Sequence, residues 1–492
     1  MTLNKVPAVK ILFVSSEVAP FAKTGGLADV AGALPKALRK LGHDVRIVMP
    51  AYRGVLSRFP FAVTGISVQV PVGGFTEQAD VWQGAIAGVP VYLLDHPAYF
   101  NREGLYSSTA GDFPDNAERF GFFCHAALEL CKWLDFVPDA IHGNDWQCGL
   151  LPVFLRTIYR ADPFFAATGT LFTIHNLGYQ GHFPPTLLKL FGLPVELNRI
   201  DALEFYGAIS LLKGGVVFSD VVTTVSDTYC REIQTPDYGH GFDGILRAQH
   251  NRLFGVLNGL DPDDWDPQHL PVHPFSSQDL TGKAACKRAL QQELGLKVEP
   301  EIPLIVMVSR LDRQKGFELI EEAWDELMAM PVQFALLGSG NPELEARFAI
   351  RSRKDRGRFA LATGFNEDLS RRFYAGGDLF LMPSLYEPCG LSQLIALRYG
   401  TLPVVRSTGG LADTIIDPQQ NVAHANGFSF VPYTSPALLD CLARALQHFA
   451  SKAAWQGMMR YAMEQEFTWQ VAAHRYLELY RLAREVRRDS KR

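Results

Sequence analysis

The sequence predicts an α/β protein of two doubly wound domains, and three observations predict it. First, the apolar run Val9 to Val14 reads as a buried strand, while Leu27, Val30, Ala31, Leu34, Leu38 and Leu41 share one helical face. The turn between them is Lys23-Thr24-Gly25-Gly26-Leu27-Ala28-Asp29-Val30. Second, Gly-Gly-Leu-Ala-Asp recurs within Thr408-Gly409-Gly410-Leu411-Ala412-Asp413-Thr414, again after an apolar run, Leu402 to Val405. Third, strand-length apolar runs alternate with helical segments from Ile302 to Val405, the pattern of a parallel sheet with right-handed crossovers.

In chain order, Gly42 fits the residue just past the first helix, and Val45 to Met49 form the next strand. Val68 to Val72, Val81 to Ala87 and Val89 to Leu94 read as strands joined by the turns at Gly73-Gly74 and Gly88-Val89-Pro90. Asp95 to Asp115, rich in Gly, Pro, Tyr and Asn, reads as a long irregular loop. Ala117 to Leu134 and Leu150 to Tyr159 are helical; Asp139 to Ile141 and Thr170 to Ile174 are strands. Ser210 to Phe218 suits a helix, and Val221 to Val225 and Leu253 to Leu257 suit strands.

Asn258 to Pro267 turns repeatedly and marks a domain boundary. Its four aspartates lack the glycine that a calcium loop needs at its sharp turn, so a linker is the favoured reading over a metal site. Beyond it, Ile302 to Val308, Val332 to Leu337, Phe359 to Ala362, Leu379 to Met382 and Leu402 to Val405 are strands. Phe317 to Met330, Pro342 to Ile350, Asn366 to Tyr374 and Leu391 to Tyr399 are the intervening helices. The tail from Trp455 to Arg488 is helical, interrupted at Phe467-Thr468-Trp469, where Thr468 suits a cap. The domains expected are 1–257 and 258–470, with a final helix at 471–492 crossing back onto the first.

Composition narrows the function. The 492 residues are 47% hydrophobic and 20% charged, as in globular proteins, and suffice for two domains. A net charge of −5 argues against nucleic acid as a partner but not against a neutral partner such as a sugar polymer. Seven scattered cysteines without a C-x-x-C pair suit reduced thiols in the cytoplasm. Neither a signal-peptide pattern nor an apolar run of membrane-spanning length is expected.

Candidate functional residues all follow predicted strands, where open α/β sheets bind ligands. Gly25 and Gly26, at a positive helix end beside Lys23, suit an anionic group approaching the backbone, or form a mere tight turn. The turn matches neither the dinucleotide nor the nucleoside-triphosphate glycine pattern. Arg310 and Lys315 suit a diphosphate, one bidentate and one a point charge; the alternative is a solvated charged loop. Glu387, in Glu387-Pro388-Cys389-Gly390-Leu391-Ser392, suits a sugar hydroxyl, or sits in a plain turn; Cys389 reads mainly as packing. The helix opening at Gly390-Leu391-Ser392 can face phosphate. Gly338-Ser339-Gly340 reads as a tight turn. His175, beside Asn176, suits acid–base work or a sugar hydroxyl, and equally a structural histidine. Asp145 and Trp146 suit a sugar contact, and equally a core position.

Taken together these motifs resemble the bacterial glycogen synthase and plant starch synthase family. The resemblance rests on Lys23 to Val30, His175-Asn176-Leu177-Gly178-Tyr179-Gln180-Gly181, Asn258-Gly259-Leu260-Asp261 and Ser309-Arg310-Leu311 with Lys315-Gly316. It rests also on Glu387 to Leu394 and Ser407 to Thr414; the motifs stand in family order over nearly the whole chain. It implies two Rossmann-like domains facing across a cleft, the GT-B arrangement, and transfer of glucose from ADP-glucose to the non-reducing end of an α-1,4-glucan with retention. No cofactor or metal is implied. By motif, Lys23, Gly25 and Gly26 lie near the donor phosphates and the acceptor, and Arg310 and Lys315 stabilise the leaving diphosphate. Glu387 and His175 hold the glucose, and the start at Gly390 grips the diphosphate. Tyr374 is expected to stack on adenine. Asp145, Asn176, Asn258 and Cys389 complete the expected substrate contacts. One departure is Asn144, where the family usually carries histidine before Asp-Trp.

The nearest rival is a related transferase using UDP-glucose, since the same cations grip both diphosphates. A nucleotide-sugar epimerase or hydrolase, and a glucan-binding protein with a dead site, are further rivals. Intact Lys23, Arg310, Lys315 and Glu387 argue against the last.

Overall fold

The computed structural model describes residues 8–262, 264–364 and 366–489. Asp263, one of the four aspartates of the boundary turn, lies outside the described residues. The chain forms two compact units. The first holds the residues up to Val225, Cys230–Gly259 and those from Trp469 on; the second holds Ser226–Tyr229 and Leu260–Thr468.

Besides a two-residue antiparallel pair, Ser107–Ser108 with Gly111–Asp112, the strands of the first unit are β1 (Lys10–Val14), β2 (Asp44–Pro50), β3 (Ala62–Val72), β4 (Phe75–Ile86), β5 (Val89–Asp95), β6 (Ala140–Asn144) and β7 (Gly169–Ile174). Then follow β8 (His182–Phe183), β9 (Glu204–Phe205), β10 (Ala208–Ser210), β11 (Val221–Thr224) and β12 (Leu253–Gly255). The main sheet runs β12-β11-β7-β6-β1-β2-β5-β4-β3, and β8-β10-β9 form a small separate sheet. The hairpin β3–β4 and the β4–β5 pair are antiparallel, as the glycine turns predict; the other main-sheet pairs are parallel. Strand order reverses at β1, between β2 and β6, so the loops after β1 and β6 flank the point where such sheets bind ligands. Helix Trp469–Asp489 packs on β7 with Ala473, Tyr476, Tyr480 and Ala483 buried. Gly169 permits this approach, since a Cβ there would lie 2.6 Å from the Ala483 backbone.

The second unit has β13 (Leu304–Val308), β14 (Gln333–Gly338), β15 (Phe359–Thr363), β16 (Leu379–Met382), β17 (Leu402–Arg406) and β18 (Phe428–Phe430). All pair parallel in the order β15-β14-β13-β16-β17-β18, the doubly wound order of a dinucleotide-type fold. Its switch point lies between β13 and β16. Both units are therefore doubly wound α/β sheets, the fold class the sequence predicts.

Three local expectations need correction. The helix expected over 317–330 is two, Phe317–Glu322 and Trp324–Ala329. At their junction the Trp324 indole reaches out to donate to Asp355 at 3.1 Å. The irregular 95–115 loop contains a helical turn, Pro97–Phe100, capped by the His96 ring. Helix Thr281–Glu293 was not expected, because its buried face carries Lys283, Lys287 and Gln291 instead of an apolar stripe. Lys283 donates to the carbonyls of Tyr374 and Ala375 and to Thr401 Oγ1, and burial pushes its pKa down to about 8. Lys287 pairs with Asp378 at 2.6 Å. Among the described residues no helix is long and apolar enough to cross a membrane.

Candidate active site

In the first unit the chain leaves β1 through Ser15, Ser16 and Glu17. Glu17 is 3% exposed. Its carboxylate accepts from Thr24 N, from Thr24 Oγ1 at 2.6 Å, from Gly25 N at 3.3 Å and from the Tyr106 hydroxyl at 2.7 Å. This buried carboxylate fixes the glycine turn in place. Past it, helix Gly26–Lys40 has no side-chain cap, and a Cβ on Gly25 or Gly26 would meet nothing within 4 Å. The turn thus opens onto space beside uncapped N–H groups, an arrangement suited to an anion. Lys23 Nζ lies 2.6 Å from Asp29, at a half-exposed position.

The loops after β6 and β7 form one network. Asn144 donates through Nδ2 to the Val14 carbonyl at 2.9 Å, which turns its Oδ1 toward His175 Nε2, also at 2.9 Å. His175 is therefore held as the Nε2–H tautomer, with Nδ1 left as an acceptor. Burial pushes its pKa down to about 3, so it stays neutral. Asp145 sits at φ 55, and its Oδ1 accepts from His175 N at 2.7 Å. Burial raises the Asp145 carboxyl to about 7. Asn176 Oδ1 accepts from Gly178 N at 2.9 Å and shapes the loop that carries His175. Trp146 takes the core reading: it packs edge-on against Phe120 and lies under Gly181. Asn258, at the end of this unit, is 6% exposed with its Oδ1 buried and unpartnered.

In the second unit the switch-point loops lock together. Leu385 N donates to the Gln314 carbonyl at 2.8 Å, and Gln314 Nε2 to the Tyr386 carbonyl at 3.2 Å. Gly316, at φ 74, lets its backbone lie against Pro383, where a Cβ would come within 2.0 Å of the carbonyl oxygen. This closure sets Lys315 Nζ 2.7 Å from Glu387 Oε2, which also accepts from Ser384 Oγ at 3.0 Å. Both side chains are largely buried. Arg310 projects from the same loop, mostly exposed, 3.6 Å from Asp312.

The two glycine turns are not equivalent. Gly409 has φ 47, and a Cβ there would lie 1.9 Å from the Glu387 carbonyl oxygen; one on Gly410 would lie 2.0 Å from that of Cys389. Gly410 N donates to the Glu387 carbonyl at 3.1 Å. The second turn therefore does not open onto space as the first does; its glycines seat the Glu387 loop. Gly338 similarly packs against the Ser309 backbone. Cys389 is buried, in keeping with packing; Leu391 precedes helix Ser392–Arg398, which has no side-chain cap. Gly390 has φ 71 and turns the chain into that helix.

Tyr374 is the expectation that fails. It is 2% exposed, its ring packs on Phe380, Trp265 and Tyr399, and its hydroxyl bonds to Ser392. A ring enclosed in this way cannot stack on adenine. Glu17, Tyr106 and Ser384 were missed. The signal for Glu17 was a lone carboxylate just beyond an apolar strand; nothing in the sequence singled out the other two.

A model of the starch synthase catalytic domain matches residues 10–248, and one of glycosyl transferases group 1 matches residues 302–448. The glycogen synthase of Syntrophotalea carbinolica is 51% identical over 97% of this chain and 99% of its own length. Glycogen synthase 2 of Geobacter sulfurreducens is 47% identical over 98% and 100%. The solved catalytic domain of Arabidopsis thaliana starch synthase IV, bound to ADP and acarbose, superposes with a TM-score of 0.89 at 33% identity, covering 97% of this chain and 100% of that one. A sucrose-phosphate synthase from Thermosynechococcus elongatus, 18% identical with a TM-score of 0.59 over 96% of this chain and 98% of its own, shares the fold. With two doubly wound units, charged loops at their switch points and relatives matched end to end, this chain belongs to the glycogen and starch synthase family of GT-B glycosyltransferases.

Proposed function

We propose that the chain transfers glucose from ADP-glucose to the non-reducing end of an α-1,4-glucan, with retention of configuration and release of ADP. The Lys315–Glu387 pair carries this reading. An ammonium has three N–H donors; one reaches Glu387, and the others suit phosphate oxygens. Arg310, exposed on the same loop, adds a second cation. As the C1–O bond to phosphate breaks, negative charge grows on ADP, and fixed cations stabilise it more than they stabilise the substrate. Within the second unit the helix start after Gly390 suits a further phosphate oxygen; within the first, the open turn at Gly25 and Gly26, with Lys23, suits an anion in its own right. The Arabidopsis relative solved with ADP and acarbose supports an adenine diphosphate and a glucan-like ligand.

Glu387 is better placed to hold glucose hydroxyls than to attack C1. Lys315 and Ser384 both bond its Oε2, which holds the carboxylate in place and leaves Oε1 as an acceptor for a sugar hydroxyl. A covalent double displacement pairs two carboxylates at the sugar, and the loop from Pro383 to Ser392 carries one. We infer same-face displacement instead: the C1–O bond electrons go to the ADP phosphate, the acceptor O4 bonds to C1, and its proton passes to a departing phosphate oxygen. Neutral His175 accepts a hydrogen bond from a sugar hydroxyl at Nδ1 and orients the ring.

The test is a maltooligosaccharide acceptor with ADP-glucose. The reading expects products longer by single glucose units, removable by an α-1,4-specific exohydrolase, and no glucosylated enzyme in intact-mass spectra. A glucosyl adduct on Glu387 would contradict the displacement step. Free glucose formed without acceptor, with no elongation, would favour the hydrolase reading.

A further inference from the structure

The hairpin β9–β10 turns on two residues, Tyr206 and Gly207, at φ 49 and 84. Both central residues of such a turn need positive φ, which asparagine or glycine adopts at little cost and a bulky aromatic does not. Tyr206 is nevertheless there, and it is 83% exposed. Packing does not explain it, because Phe205 beneath supplies the apolar anchor, 4.7 Å away and edge-on. A strained residue held out in solvent points to function.

The surroundings say what kind. A second left-handed turn, His240 and Gly241 at φ 47 and 82, lies against the first; a Cβ on Gly241 would sit 3.1 Å from the Tyr206 ring. Gln180 ties this turn to the loop that carries His175: its Nε2 donates to the carbonyls of Leu177 and His240, both at 3.1 Å. Its own carbonyl accepts from Ser210 Oγ at 2.8 Å. Tyr179, in the same loop, is also mostly exposed. Exposed tyrosine rings with free edges and a polar tip suit a pyranose, which offers C–H groups on its face and hydroxyls at its rim.

We propose that the paired turns at Tyr206–Gly207 and His240–Gly241, with Tyr179, form an outer subsite for an α-1,4-glucan chain, the Tyr206 ring stacking on a glucose unit upstream of the reacting end. The proposal rests on the glucan-transfer reading above and names where a long acceptor is held.

The test compares Tyr206→Asn, which suits the turn and so keeps the hairpin, with Tyr206→Phe, which keeps the ring. KM is measured for glycogen and for maltotriose with ADP-glucose, and mobility is measured in native gels cast with glycogen. Tyr206→Asn is expected to raise the ratio of the glycogen KM to the maltotriose KM about threefold to tenfold, with less retardation in the gel. Tyr206→Phe should behave as the parent. An unchanged ratio and mobility in Tyr206→Asn would overturn the subsite, as would an equal rise for both acceptors. Failure of the parent to transfer glucose would instead overturn the functional reading, while gel retardation still reports on the subsite.

Discussion

Lys315 Nζ and Glu387 Oε2 lie 2.7 Å apart, joined across two loops 72 residues distant in sequence and both rooted at the switch point of one sheet. Neither residue makes a simple surface ion pair, since both are largely buried and Ser384 bonds the same oxygen. If they act together on the donor, Lys315→Ala and Glu387→Ala each lower kcat at least about 100-fold, the scale of one lost transition-state charge contact. The double variant should lose much less than the product of the two, because groups in contact are coupled. Steady-state kinetics on folded variants check this; full additivity would show that the residues act separately.

The glycine turns separate by stability and activity. Gly409→Ala forces a Cβ into the Glu387 carbonyl at a left-handed backbone position, so it should cost about 2 kcal/mol or more and reduce kcat by displacing Glu387. Gly25→Ala meets open space at φ −152, an ordinary extended conformation. It should leave the melting temperature nearly unchanged and, if the turn holds a donor phosphate as proposed, raise the KM for ADP-glucose, because the added methyl would stand in the open space beside the turn. Thermal denaturation beside donor kinetics distinguishes them; equal losses of stability would refute the contrast.

Glu17 accounts for the shape of the first turn. Glu17→Ala leaves the Thr24 and Gly25 amides and the Tyr106 hydroxyl without their shared acceptor. Loss of about 2 kcal/mol of stability is expected, with kcat/KM down by tenfold or more. Chemical denaturation and kinetics on the same preparation measure both. Wild-type values would mean that the turn holds its shape without the carboxylate.

His175 and Asp145 give opposing pH dependences of stability. Between pH 6.5 and about 3 the unfolded chain binds a proton at His175 that the folded chain refuses, so stability falls as pH drops. Between pH 3.8 and about 7 the folded chain keeps a proton on Asp145 that the unfolded chain releases, so stability falls as pH rises. His175→Gln removes only the first effect. Relative to the parent, it should lose about 2 kcal/mol less on going from pH 7 to pH 4.5, read from urea midpoints. A parallel pH profile would contradict the burial of a neutral His175.

How much was legible depended on which physical signal each part carries. The parallel strands are continuous apolar runs, and the switch-point loops carry Arg310, Lys315 and Glu387 immediately after them, so both could be read directly. Helix Thr281–Glu293 could not, because two buried lysines and a glutamine replace the apolar stripe that periodicity detects. Tyr374 was misread because nothing local distinguishes a core tyrosine from a stacking one; its burial comes from Phe380, Trp265 and Tyr399. The repeat of Gly-Gly-Leu-Ala-Asp was real as sequence, yet whether each glycine faces space or a carbonyl is a tertiary property. Glu17 and Tyr106 meet only through a long-range contact.

The most direct measurement is incorporation of labelled glucose into glycogen with ADP-glucose and UDP-glucose run side by side, using the parent and Glu387→Ala. Transfer from ADP-glucose, weak or absent with UDP-glucose and lost in the variant, is the predicted result. Transfer from UDP-glucose alone would contradict the donor assignment, and no transfer from either donor by folded protein would contradict the proposed reaction itself.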